Sequence, residues 1–123
     1  MAHILFVDDN PDLRETLAAR LRAAGYQVTT AGSGMEGLEL AETHTFDLIL
    51  LDMLMPQLDG ITTYQRLRDR SATREVPVIL FTAMAVEGHW EELTEDGAGP
   101  CFVMGKPYET SLLVSRLSQV LGG

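Results

Sequence analysis

An α/β fold built on a parallel sheet with helices on both faces is predicted by three features of the sequence. Short β-branched or leucine-rich runs alternate with segments of helical spacing. Apart from Gln27–Ala31, the runs are almost wholly apolar, as strands covered on both faces must be. The alternation repeats as five βα units along the chain, the pattern of a doubly wound sheet. Crossovers between parallel strands are right-handed, and the functional crevice of such a sheet lies at the carboxyl ends of its strands.

The first strand is His3–Val7. The helix after it places Leu13, Leu17 and Leu21 at four-residue intervals, with Asn10 as its cap, Pro11 in its first turn and Gly25 at its C-terminal end. The second strand is Gln27–Ala31. Ser33 with Glu36 three residues later forms a capping box for the second helix, whose Leu38 and Ala41 share one side. The third strand, Leu48–Leu51, precedes a helix from about Gly60 to Arg70. The fourth, Val76–Phe81, is followed by a helix around Glu87–Asp96 that contains the poor helix former Gly88. The fifth strand, Cys101–Met104, leads into a last helix from about Tyr108 to Leu121, with Leu113, Leu117 and Leu121 aligned.

A length of 123 residues with 46% apolar side chains suits one domain over 1–123. The longest apolar run, Val76–Val86, is broken by Pro77 and Thr82 and is too short for a membrane helix. The N-terminal MAHILFVDD lacks the basic start and apolar length of a signal peptide, so a cytoplasmic protein is expected. The single cysteine, Cys101, fits a reducing compartment and a small core residue. A net charge of −9 opposes nucleic-acid binding, which needs clustered cations to displace counterions. Between Val76 and Gly105 there are five acids and no Lys or Arg, whereas Arg66, Arg68, Arg70 and Arg74 form a run that reads as a solvated face. Lys106 is the only lysine.

Chemistry-bearing residues stand at the strand ends. Asp8 and Asp9 close the first strand, Asp52 the third and Thr82 the fourth, and Lys106 and Pro107 follow the fifth. Three converging carboxylates repel one another unless a cation lies between them, and Mg2+ suits oxygen donors that also face phosphate. One carboxylate of such a set can attack phosphorus to give an acyl phosphate, with an ammonium and a hydroxyl neutralising the phosphoryl oxygens. Taken singly, each residue also fits a plainer role: helix-terminus complement for Asp8 and Asp9, loop residue for Asp52, strand former for Thr82, surface charge for Lys106.

The motifs FVDDN, LILLDMLMPQLDG, PVILFTA and GKP together resemble the receiver domains of bacterial response regulators, and they span nearly the whole chain. The resemblance implies a flavodoxin-like five-stranded sheet of order 2-1-3-4-5 with five helices. It implies that Asp52 is the phospho-acceptor, that Asp9 binds Mg2+ directly and Asp8 through water, and that the backbone carbonyl of Leu54 is a further ligand. Thr82 resembles the switch hydroxyl and Lys106 the phosphoryl-binding lysine. The implied partner is a sensor histidine kinase or phosphotransfer protein. The implied activity is limited to self-phosphorylation and self-dephosphorylation, with no membrane or nucleic-acid contact by this domain. A downstream protein or fused output domain is unspecified, as is the choice between monomer and homodimer.

Two positions depart from the family pattern. Val103 stands three residues before the lysine, where members carry an aromatic switch residue, and Gly105 precedes the lysine directly. Strand alternation puts the neighbouring Phe102 on the opposite face unless a bulge shifts the register. Without a ring to move, the output is expected to pass to the acidic, glycine-interrupted segment Glu87–Pro100. A phosphatase would place one residue between the two aspartates of the first strand, and a flavin binder would replace the anionic DDNPD with a hydroxyl- and glycine-rich loop. The remaining alternative is a receiver-like protein-interaction module not regulated by phosphorylation.

Overall fold

The computed structural model describes residues 1–53, 60–82, 90–93, 99–106 and 109–122. Among the described residues six strands and four helices follow in the order β1 His3–Val7, α1 Pro11–Ala23, β2 Gln27–Ala31, α2 Gly34–Thr43, β3 Leu48–Asp52, α3 Gly60–Arg68, β4 Val78–Thr82, β5 Trp90–Leu93, β6 Cys101–Gly105 and α4 Thr110–Val120. They form one sheet of order β2-β1-β3-β4-β6-β5, parallel except for the antiparallel β5–β6 pair. The five predicted strands therefore form the parallel part of the sheet in the predicted order, with β6 as the fifth of them.

Strand side chains alternate between two cores. Ile4, Phe6, Leu48, Leu50, Ile79, Phe81, Phe102 and Met104 pack with Leu17, Ala18 and Leu21 of α1 and Leu113 and Leu117 of α4. Leu5, Val7, Ile49, Leu51, Val78, Leu80 and Cys101 pack with Leu38 and Ala41 of α2 and Tyr64 and Leu67 of α3. The predicted stripes account for this, except that Leu13 is 43% exposed and leaves Leu17 and Leu21 to anchor α1. Asn10 caps α1 by accepting from the N–H groups of Asp12 and Leu13, and Gly25 ends it with φ +102°. Ser33 accepts from Glu36 N, but the Glu36 carboxylate reaches back to Gly32 N rather than to the cap residue.

The helix expected around Glu87–Asp96 is not supported by its described part: Trp90–Leu93 is strand β5, and the flanking residues lie outside the described set. The register is Trp90↔Met104, Glu91↔Val103, Glu92↔Phe102 and Leu93↔Cys101. Pairing here satisfies the free side of β6. The Trp90 ring also stacks on Phe102, with centroids 4.8 Å apart and planes 14° from parallel. The sheet thus has six strands rather than five, and four helices are found among the described residues. The helix ends shift as well: α3 stops at Arg68 and α4 starts at Thr110.

The β4–β6 register runs unbroken from Val78↔Cys101 to Thr82↔Gly105, so no bulge turns Phe102 toward the other face. Phe102 packs on the α1/α4 side and the half-buried Val103 on the α2/α3 side.

The arginine run is not uniformly solvated. Arg68 is 8% exposed. Its Nη1 donates to the carbonyls of Thr73, Arg74 and Val76, its Nη2 to those of Gly99 and Pro100, and its Nε to Tyr64 Oη. Arg68 therefore ties the chain entering β4 to the chain entering β6, at the amino ends of those strands.

Candidate metal centre

The parallel strands β1, β3, β4 and β6 finish along one edge of the sheet, and that common edge gathers the residues singled out in the sequence. Asp8 directly follows β1 and is 2% exposed, whereas Asp9 is exposed. Asp8 N donates to Ala31 O at 3.1 Å, continuing the ladder with β2 by one step. Asp8 Oδ1 accepts from Asn10 N at 2.9 Å, and its carbonyl accepts from Arg14 Nη1 at 2.8 Å. The start of α1 thereby fixes both the backbone and the carboxylate of Asp8.

Asp52 is the last residue of β3, paired in register with Phe81 and 7% exposed. Thr82 ends β4 and is 8% exposed. Lys106 N donates to Thr82 O at 2.7 Å, so the backbone of β6 stays beside β4 one residue beyond the strand. From there the lysine side chain crosses to Asp52, with Nζ 2.9 Å from Oδ2. Carboxylate oxygens of Asp8, Asp9 and Asp52 lie within 4.8 Å of one another. The Leu54 carbonyl lies outside the described residues.

Three carboxylates against one ammonium leave an excess of negative charge at this end of the sheet, with Asp8 and Asp52 buried and Asp9 exposed. The Asp8 carboxyl is held above its ordinary value of 3.8, first by burial. The N–H of Asn10 opposes the rise, repulsion from Asp52 and Asp9 adds to it, and Lys106 opposes it. A donor set made only of oxygens fits a hard divalent cation. The carboxylate spread is also close to the roughly 4.2 Å that two Mg2+–oxygen bonds can span.

Of the residues chosen from sequence, Asp8, Asp9, Asp52, Thr82 and Lys106 meet at this edge. Arg14 and Asn10, which hold Asp8, were not given that role from sequence. Asn10 acts on Asp8 through its backbone N–H, which carries no residue-type signal, and Arg14 reaches back from the first turn of α1 to the Asp8 carbonyl.

Residues 4–118 match the family model described as the response regulator receiver domain. A probable transcriptional regulator of Cyanidium caldarium, ycf27, is 37% identical over 97% of this chain, which spans 46% of that relative. The polar-differentiation response regulator DivK of Brucella ovis is 30% identical over 97% of this chain and 95% of its own. Among solved structures, the receiver domain of a sensor histidine kinase from Pseudomonas aeruginosa PAO1, with a magnesium ion coordinated in its active-site cleft, superimposes with a TM-score of 0.83 at 29% identity, covering 99% of this chain and 98% of that one. No helix among the described residues is long and apolar enough to cross a membrane.

Proposed function

This chain belongs to the response regulator receiver family, whose role is phosphorylation-dependent signalling, and we propose that Asp52 is its phospho-acceptor. The observation that carries the reading is the 2.9 Å contact of Lys106 Nζ with Asp52 Oδ2, beside the carboxylates of Asp8 and Asp9. An Asp52 oxygen attacks phosphorus, the bond to the donor's leaving group breaks, and an acyl phosphate forms on the side chain. Lys106 follows the negative charge from the carboxylate onto the phosphoryl oxygens, and the Thr82 hydroxyl donates to one of them. Asp8, Asp9 and Asp52, with the Leu54 carbonyl, would hold Mg2+, whose charge offsets that of the incoming phosphoryl group. The magnesium-bound kinase receiver supports this choice of ion.

The donor is a sensor histidine kinase or phosphotransfer protein in the cytoplasm. The domain, 1–123, acts as a switch whose only chemistry is gaining and losing its own phosphoryl group. Incubation with acetyl phosphate and Mg2+ adds one phosphoryl group, read by intact mass. Equal labelling of Asp52→Asn, or labelling unaffected by chelation, overturns the assignment.

A further inference from the structure

Gly60, the first residue of α3, lies against the backbone of the acceptor. A Cβ built there would collide with the Asp52 carbonyl oxygen, stand 2.7 Å from Met53 Cα and 3.0 Å from the Asp52 carbonyl carbon. Gly60 N also donates to Met53 O at 3.2 Å. Its backbone is not left-handed, so the close approach, rather than an unusual φ, is what excludes a side chain. Neither partner is free to recede. Met53 N is bound to Phe81 O at 3.0 Å, which holds the end of β3 to β4, and α3 is anchored by the buried Thr63, Tyr64 and Leu67.

We propose that Gly60 is a positioning residue for phosphoryl transfer: by letting α3 rest directly on the Asp52 backbone, it sets where the acceptor carboxylate stands relative to Lys106. The inference rests on Asp52 being the acceptor. An alanine here must displace the Asp52–Met53 backbone or the start of α3 by several tenths of an ångström, and small misplacements of a reacting group are costly in rate. Helix propensity alone predicts instead that alanine stabilises α3 and leaves the rate unchanged.

The test compares initial rates of phosphorylation by acetyl phosphate at saturating Mg2+, per folded molecule, in the whole chain. Gly60→Ala is expected to slow the reaction roughly tenfold or more. Gly99→Ala is the control, because a Cβ there would lie 2.8 Å from Glu75 Cα and collide with its carbonyl at the opposite end of the sheet. It is expected to lose stability and keep the wild-type rate. If either glycine variant does not fold, Leu67→Ala in α3 and Leu117→Ala in α4 carry the comparison, with a several-fold slowing expected only in the α3 variant. A wild-type rate in Gly60→Ala, or equal slowing in the paired controls, overturns the inference. A wild-type protein that is not labelled on Asp52 refutes the acceptor assignment instead.

Discussion

The two ends of the sheet solve opposite electrostatic problems. At the amino ends of β4 and β6, the buried Arg68 meets five carbonyl oxygens and a tyrosine hydroxyl. At the carboxyl ends, Asp8, Asp9 and Asp52 crowd together with one lysine in contact. The arginine is compensated within the fold, by dipoles that would otherwise need water. The carboxylates are left in excess, a state that lowers stability and makes sense where a cation and a phosphoryl group are to be received. One end is finished as structure, and the other, on the function proposed above, is held ready for a ligand.

The contrast breaks first if Arg68 is dispensable. Arg68→Ala strands several buried carbonyls and is expected to cost about 3 to 5 kcal/mol in urea unfolding, with little recovery in Arg68→Lys, which cannot fork to the same acceptors. Loss within experimental error would mean that water replaces the guanidinium without cost. Next in size is the response to Mg2+. At ten times its dissociation constant the ion is expected to add about 1.4 kcal/mol to the unfolding free energy, an increment that disappears in Asp9→Asn and persists in Arg70→Gln at the other end.

The smallest effect sharpens the comparison. Asp8→Asn is expected to raise the stability of the metal-free protein by about 1 kcal/mol near neutral pH, because it removes a buried charge while keeping the acceptor for Asn10 N. The pH dependence follows from the upward shift of Asp8. With its folded value above 3.8, the native state keeps a proton that the unfolded chain has released. The stabilising contribution of Asp8 is therefore full below the unfolded value and is lost as pH rises through the folded one. Under chelation, the stability of Asp8→Asn measured against pH should lack this decline, and an identical slope in both proteins would contradict it.

Most of the site could be read from sequence because its placement is local. Each candidate residue sits at or just beyond the end of an apolar run, so locating the strands also located Asp8, Asp9, Asp52, Thr82 and Lys106. Arg68 was misread because the acceptors that explain its burial include Gly99 and Pro100, more than thirty residues away and brought close only by the β4–β6 pairing. Within the helix expected around Glu87–Asp96, the described part Trp90–Leu93 is a strand for a related reason. Glu91, Glu92 and Leu93 favour helix locally, and their strand state is imposed by pairing with the open side of β6 and by the stacking of Trp90 on Phe102. Gly60 lay within a recognised motif, yet its closeness to Asp52 is a property of helix and strand placement that spacing does not encode.

Trp90 is the only tryptophan in the chain. Its indole is sandwiched between the Phe102 ring and the Arg116 guanidinium, whose carbon lies 5.0 Å from the indole centroid. Arg116 Nε has no hydrogen-bond partner among the described residues, so the guanidinium is held there in part by the ring itself. Trp90 is also paired with Met104, two residues before the lysine that touches Asp52. The protein therefore carries its own optical probe: a shift of β6 as Lys106 exchanges one anionic partner for another would alter the stacking and the wetting of the indole, and so the colour and intensity of its emission.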